Sequence, residues 1–477
     1  MASKTTLNAR NLEALGATRL AALLLELSEG DAAAKRRLRL ELAAEAGPSE
    51  MARQVRKRLT TIAKSTSFVD WRKQSDFIAD LETQREAIAA KIGEADPQQG
   101  LELMWRFMAL ADNAFARCDD SHGRLGDVFR AACEDIGPLA LAARSAPQEL
   151  ADRVFEALRE NDYGQFDGLI ETTAPALGAP GLERLKSRLT AWDEEPIPEP
   201  REEDRVVAGR GMGGKIYADQ IERTRRRGTV SLGLQQIADQ QNDVDAFAAQ
   251  FDAEARTVPM VAAQIALRLV EAGRAEEALG LLDASDSSRG HLPREWTETR
   301  LEALEALGRS EEAQTLRWES FERTLNAADL RAHLKRLPDF EDMEAEERAL
   351  GIVRQARDLH GALAFLVGWP AHELAADLVI SRAEALNGDA YYILGPAAEA
   401  LEDAHPLAAT LLLRAMIGFS LDEARSSRYR HAARHLKTCE RLAEEIADFG
   451  QVEPHARYVE RLRGEHGRKR GFWSLLD

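Results

Sequence analysis

Apolar residues along this chain recur at the spacing of a helix almost everywhere, and that regularity constrains its fold more than any other feature. Val55, Leu59 and Ile62 fall at i, i+4 and i+7, while Arg53, Arg56, Lys57 and Arg58 lie mainly off that stripe. The same test is met by residues 20–27, by Phe77, Leu81 and Ile88, around Trp105 and Phe107, and by Leu436, Cys439, Leu442 and Ile446. Alternating runs of Val, Ile and Thr are almost absent. The strand-like fragments 205–208 and 229–232 are too short to found a sheet. The expected fold class is therefore all-α.

One break interrupts the pattern. Residues 193–204, DEEPIPEPREED, hold seven acids and three prolines, and Pro196, Pro198 and Pro200 cannot donate to a helical ladder. Glycine-rich AGRGMGGK at 208–215 and a basic helix at 220–227 follow. The expected organisation is an N-terminal helical module over residues 1–192, a linker over 193–230 and a C-terminal helical-repeat module over 231–477.

Beyond the junction the chain repeats itself. LVEAGRAEEAL at 269–279 recurs 35 residues later as LEALGRSEEAQ at 304–314. Glycine suits the left-handed end of one helix, and the two acids suit the first turn of the next, where the helix dipole favours negative charge. Each unit reads as a helical hairpin. The period and the GRxEEA corner resemble tetratricopeptide repeats, which place small residues such as Ala278 and Ala313 where their two helices meet. The second unit departs from the first at Arg317, which stands where Leu282 stood, and no third GRxEEA follows. Less regular hairpins continue to the C-terminus, so the C-terminal half is expected to stack its hairpins as an α-solenoid. Within it residues 406–425, PLAATLLLRAMIGFSLDEAR, are apolar almost all round, as a helix buried on several sides must be.

Three further segments, HPLAATLLLRAMIGFSL, RYRHAARHLKTCERLA and PHARYVERLRGEHGRKRGFWSLL, together resemble the C-terminal part of an uncharacterised bacterial family of helical-repeat proteins. They are also similar to the region that follows the finger in some SWIM-type zinc-finger proteins, although this chain lacks the CxC and CxH pairs of the finger itself. KTTLNARNLEALGATRLAALLLEL, KRLTTIAKSTSFVDW and NDYGQFDGLI extend the first resemblance through the N-terminal half. The resemblance implies a helical scaffold and names no activity.

Charge and cysteine content narrow the function classes. The 477 residues carry 63 Lys and Arg against 81 acids, a net charge of −18 that argues against a general coat for nucleic acid or anionic membrane. Cys118, Cys133 and Cys439 are odd in number and far apart, so neither a disulfide framework nor a zinc ribbon is expected. The apolar run 20–25 is too short for a signal-peptide core and no stretch is long enough for a membrane span, so a cytoplasmic protein is expected.

Several candidate sites can be weighed on their chemistry. GRGMGGK at 209–215 spells GxxxxGK, but Lys215 is followed by Ile216 rather than by the hydroxyl that would hold magnesium, and a flexible linker is the better reading. His431 and His435 lie one turn apart and can share a metal, but Cys439 is about 12 Å of helical rise from His431, so core or groove histidines are the better reading and no metal is expected. Asp119 or Asp120, between Cys118 and His122, reads as a helix cap. No GxSxG, no HExxH and no cysteine signature is present, so no cofactor is expected and an enzyme is unsupported. Residues 1–73 carry fourteen Lys or Arg against eight acids, clustered around Arg36 and at Arg53, Lys57 and Arg58. That face can meet phosphates, an acidic partner or the chain's own acids. Phe472, Trp473, Leu475 and Leu476 form an apolar plug that either caps the hairpin stack or docks a partner. The expected function is a scaffold for another protein, with a nucleic-acid accessory role through the basic face as the alternative.

Overall fold

A computed structural model describes residues 6–197, 200–201, 205–211, 214–285 and 292–476. Apart from one short hairpin, the regular elements among them are helices. The chain divides into two compact units, Met1–Ala255 and Arg256–Asp477.

The first unit opens with α1 (Ala9–Glu13), α2 (Ala17–Leu27), α3 (Ala32–Ala46), α4 (Pro48–Ala63) and α5 (Trp71–Glu86). The helix starts are written in the sequence: Asp31 and Asp70 accept from first-turn amides of α3 and α5, and Pro48 occupies the first position of α4. The stripe Val55, Leu59 and Ile62 is buried as its spacing requires. Its core continues through α6 (Pro97–Met108), α7 (Arg124–Ala142), α8 (Pro147–Arg159) and α9 (Leu169–Glu194), with Phe107 and Phe129 in contact at 5.5 Å between ring centres. Asp120 caps α7 by accepting from the amides of Leu125 and Gly126, both at 2.8 Å.

β1 (Val207–Gly211) and β2 (Gly214–Tyr217) pair antiparallel, and α10 (Ala218–Gln241) follows β2. Residues 229–232, strand-like in sequence, lie inside α10. Val230 and Ile237 are buried in the first unit's core. Arg226 is buried too, donating to the Glu195 carbonyl at 2.8 Å with its guanidinium 5.4 Å from the Trp192 ring. The break expected over 193–230 and the division after Ala255 therefore do not coincide: the basic helix carries an apolar stripe that belongs to the first core.

In the second unit, α11 (Pro259–Glu271) pairs with α12 (Ala275–Ala284) and α13 (Arg294–Ala306) with α14 (Ser310–Thr324). Both corners turn on a left-handed glycine, Gly273 at φ +76° and Gly308 at φ +70°. The repeated arginine and second glutamate then pair across the turn, Arg274 with Glu277 at 2.7 Å and Arg309 with Glu312 at 2.6 Å. Ala278 and Ala313 are fully buried. Arg317, in the place of Leu282, is buried as well, because Glu305 pairs with its guanidinium and the Gln314 side chain accepts from it at 3.1 Å.

Successive helices α15 (Ala327–Leu334), α16 (Glu341–Gln355), α17 (Leu359–Gly368), α18 (His372–Ser381) and α19 (Tyr391–Leu401) each pack on the next. They lead to α20 (Pro406–Asp422), which α18, α19 and α21 (Tyr429–Ala443) surround. After α22 (His455–His466), the short α23 (Arg470–Trp473) returns to α21. This succession of packed hairpins is the all-α architecture expected from the helical period.

Candidate functional site

The basic residues of α3 and α4 come together around a carboxylate. Asp80 on α5 is buried, and the Arg58 guanidinium donates to its Oδ2 from Nε at 2.8 Å and again from Nη2. Arg36 approaches the other oxygen at 3.6 Å. Arg53 instead turns to its own helix and grips Glu50 with two hydrogen bonds of 2.7 and 2.6 Å, which hold the Glu50 carboxyl down at about 2. Lys57 is exposed, and its ammonium has no hydrogen-bond or ion-pair partner among the described residues. Arg36, Lys57 and Arg58 thus line one cleft, while Arg53 lies along a neighbouring, shallower trough that shares Lys57.

N-terminal to this basic face in the chain, α1 and α2 present exposed apolar side chains. Leu24, Leu25 and Leu27 on α2 are 47%, 70% and 75% exposed, and α2 contains no buried residue. Leu7, Leu12 and Leu15 on and around α1 are exposed too. The spacing test that identified residues 20–27 as a helix gave no sign that, among the described residues, Leu24, Leu25 and Leu27 would stay exposed while Leu20 and Leu23 are half-buried.

In the second unit His431 and His435 line a cavity of about 360 Å³, together with Tyr391, Arg428, Ser420 and Ser427. Arg428 is fixed by Asp389 at 2.7 Å and lies 4.7 Å from the Tyr391 ring. His431 Nδ1 is 2.8 Å from Arg434. Cys439 points elsewhere: its Sγ faces the Thr410 carbonyl at 3.9 Å inside the core, and burial pushes the thiol up to about 12. The turn-by-turn series His431, His435, Cys439 therefore splits between cavity and core.

Burial, aided by the nearby Arg434 charge, pushes His435 down to about 4, and its Nδ1 has no hydrogen-bond partner. Unfolded, the same imidazole titrates near 6.5. Between these values only the unfolded chain takes up the proton, so this group's contribution is complete above about 6.5 and is lost as the pH falls toward 4. His435→Leu is expected to lose about 2 kcal/mol less stability than the parent between pH 7 and pH 5, read from urea unfolding at the two pH values.

Lys215 is exposed on β2, opposite Arg210. The glycine-rich stretch read as a flexible linker is instead a strand pair, with Met212 and Gly213 outside the described residues. A phosphate loop runs from a strand into a helix N-terminus, whereas Gly209, Gly211 and Gly214 lie on the two paired strands. At the C-terminus Phe472 is fully buried, 6.0 Å from Tyr429 edge to face. Trp473 is half-buried, with Nε1 donating to the His466 carbonyl at 3.0 Å, and Leu475 is exposed. The buried member of the apolar plug is thus the phenylalanine.

Comparison with known proteins gives a family and little else. Residues 2–475 match a family described as "Family of unknown function (DUF6880)". No curated protein matches. Among solved structures the chain is similar to one titled "Structure of Naa15/Naa10 bound to HypK-THB", at 13% identity and a TM-score of 0.31, over 92% of this chain and 67% of that one.

Proposed function

Since this chain belongs to DUF6880, a family of unknown function, its role has to be read from its own surfaces, and we propose that it is a helical-repeat scaffold that holds another protein through the apolar side of α1 and α2. The observation that carries this reading is the exposure of Leu24, Leu25 and Leu27 on a helix with no buried residue. Contiguous exposed leucines are rare on monomeric surfaces because each gains about 1.5–3 kcal/mol on burial. An amphipathic helix laid into a partner's groove recovers that energy. The resemblance of the C-terminal segments to the region after the finger in some SWIM-type proteins is compatible with a scaffold. The alternative, a nucleic-acid accessory, would need Arg36, Arg53, Lys57 and Arg58 together along an extended backbone, yet Glu50 turns Arg53 aside and Asp80 pairs with Arg58 and Arg36.

Leu24→Glu/Leu25→Glu/Leu27→Glu in the full chain tests this. Proteins retained from the native host's lysate would be identified, purified and titrated against both chains. The triple variant is expected to keep the parent's melting temperature, since these side chains touch little, and to bind the partner at least about a hundredfold more weakly. The reading fails if the variant binds its partner as tightly as the parent, or if sedimentation and pull-down show that the parent holds no protein at all.

A further inference from the structure

The cleft between α3, α4 and α5 has an imbalance of charge that the chain itself does not resolve. It encloses about 190 Å³ and presents four cations, Arg36, Arg39, Lys57 and Arg58. Behind them stands the Asp80 carboxylate, while Glu50, reached through the lining residue Gln54 at 2.9 Å, is taken up by Arg53. The Arg39 and Lys57 side chains have no hydrogen-bond or ion-pair partner among the described residues. Four cations gathered in one cleft of a chain whose net charge is −18 are not explained by solubility.

The polar atoms left over in the cleft are of two kinds. Arg36 Nε is a buried donor that makes no hydrogen bond, its ion-pair partner Asp80 Oδ1 standing 3.6 Å away, and Arg58 spends Nε and Nη2 on Asp80 while Nη1 has no partner among the described residues. Gln84 is buried, donates from Nε2 to Asp80 Oδ1 at 3.4 Å and leaves Oε1 as a buried acceptor with no partner. Asp80 thus sets both Arg58 and the Gln84 amide, so that the amide's free oxygen is an acceptor. Arginine forks and a lysine are the donors that match a tetrahedral oxyanion, and an acceptor beside them matches a hydroxyl.

We propose that this cleft binds a small phosphomonoester, its phosphate held by Arg36, Arg39, Lys57 and Arg58 and a hydroxyl of its organic part donating to Gln84 Oε1. The enclosed volume is below the roughly 300 Å³ at which drug-sized pockets begin, so it suits a phosphorylated polyol rather than a nucleobase. The shallower trough along Arg53, Arg56 and Lys64 is open to solvent and leaves room for the rest of a larger ligand outside the cleft.

Calorimetric titration of the full chain with inorganic phosphate, glycerol phosphate and ribose 5-phosphate, at constant ionic strength against chloride, tests the proposal. Saturable one-site binding of at least one phosphomonoester is expected. Arg39→Gln/Lys57→Gln, which removes two exposed side chains without internal partners, should weaken it at least tenfold while leaving the ligand-free melting temperature unchanged. Binding of inorganic phosphate alone as tightly as either ester would overturn the hydroxyl contact and with it the ester assignment. Three results overturn the site itself: no binding beyond chloride, binding unaltered in the double variant, or binding confined to a single-stranded oligonucleotide with a steep salt dependence. The last would make the face a polynucleotide surface instead.

Discussion

Phe472→Ala should lower the melting temperature of the second unit by about 10 °C. The ring is fully buried against Tyr429 and the core built by α20 and α21, and truncating a buried phenylalanine costs about 3–5 kcal/mol. For a unit of this size each kcal/mol moves the transition by roughly 2–4 °C. Its neighbour serves as the control. Trp473 is half-buried, and its indole contributes one hydrogen bond to the His466 carbonyl, so Trp473→Ala should cost about 1–2 kcal/mol. Differential scanning calorimetry of the two variants separates a cap from a docking peptide. If α23 closes the hairpin stack, Phe472→Ala is the more damaging by a wide margin; if the segment is held out for a partner, neither variant moves the transition.

That ordering was not available from the sequence, which presents Phe472 and Trp473 as equal members of one apolar plug. Which ring enters the core depends on how α23 returns to α21 after the turn at Lys469, and that is a tertiary matter. Local features were legible. Val55, Leu59 and Ile62 are buried because a helical stripe has to be covered. The GRxEEA corners turn on positive-φ glycines, and Ala278 and Ala313 pack without exposure. Features that join distant residues were not. Asp80 gave no signal as the carboxylate facing Arg58, since 22 residues of chain separate them and acids are common throughout. The membership of α10 in the first unit was hidden for a related reason: its apolar stripe is sparse, and its arginines and glutamines dominate the reading. In the glycine-rich segment, composition favoured a linker, while the backbone closes into paired strands through Gly214 at φ +114°.

The pairing at Asp80 makes the basic cleft a stability element, and its two sides are not equivalent. Asp80 has a side chain only 5% exposed, whereas Arg58 and Arg36 reach 24% and 33%. Arg58→Ala therefore leaves a buried carboxylate with only the 3.6 Å approach of Arg36 and the weak Gln84 contact to offset its lost hydration. Removing one partner of a buried pair costs about 3–5 kcal/mol, and the lower end is expected here because Arg36 remains. Asp80→Ala strands two cations that can still extend toward water, so its cost should be smaller, about 2 kcal/mol. The double variant should be less destabilised than the sum of the two singles, since neither charge is then left alone. Urea unfolding of the three chains in chloride buffer measures the cycle. Equal costs for the two single variants, or strict additivity in the double, would mean that Arg58 and Asp80 face each other without depending on each other.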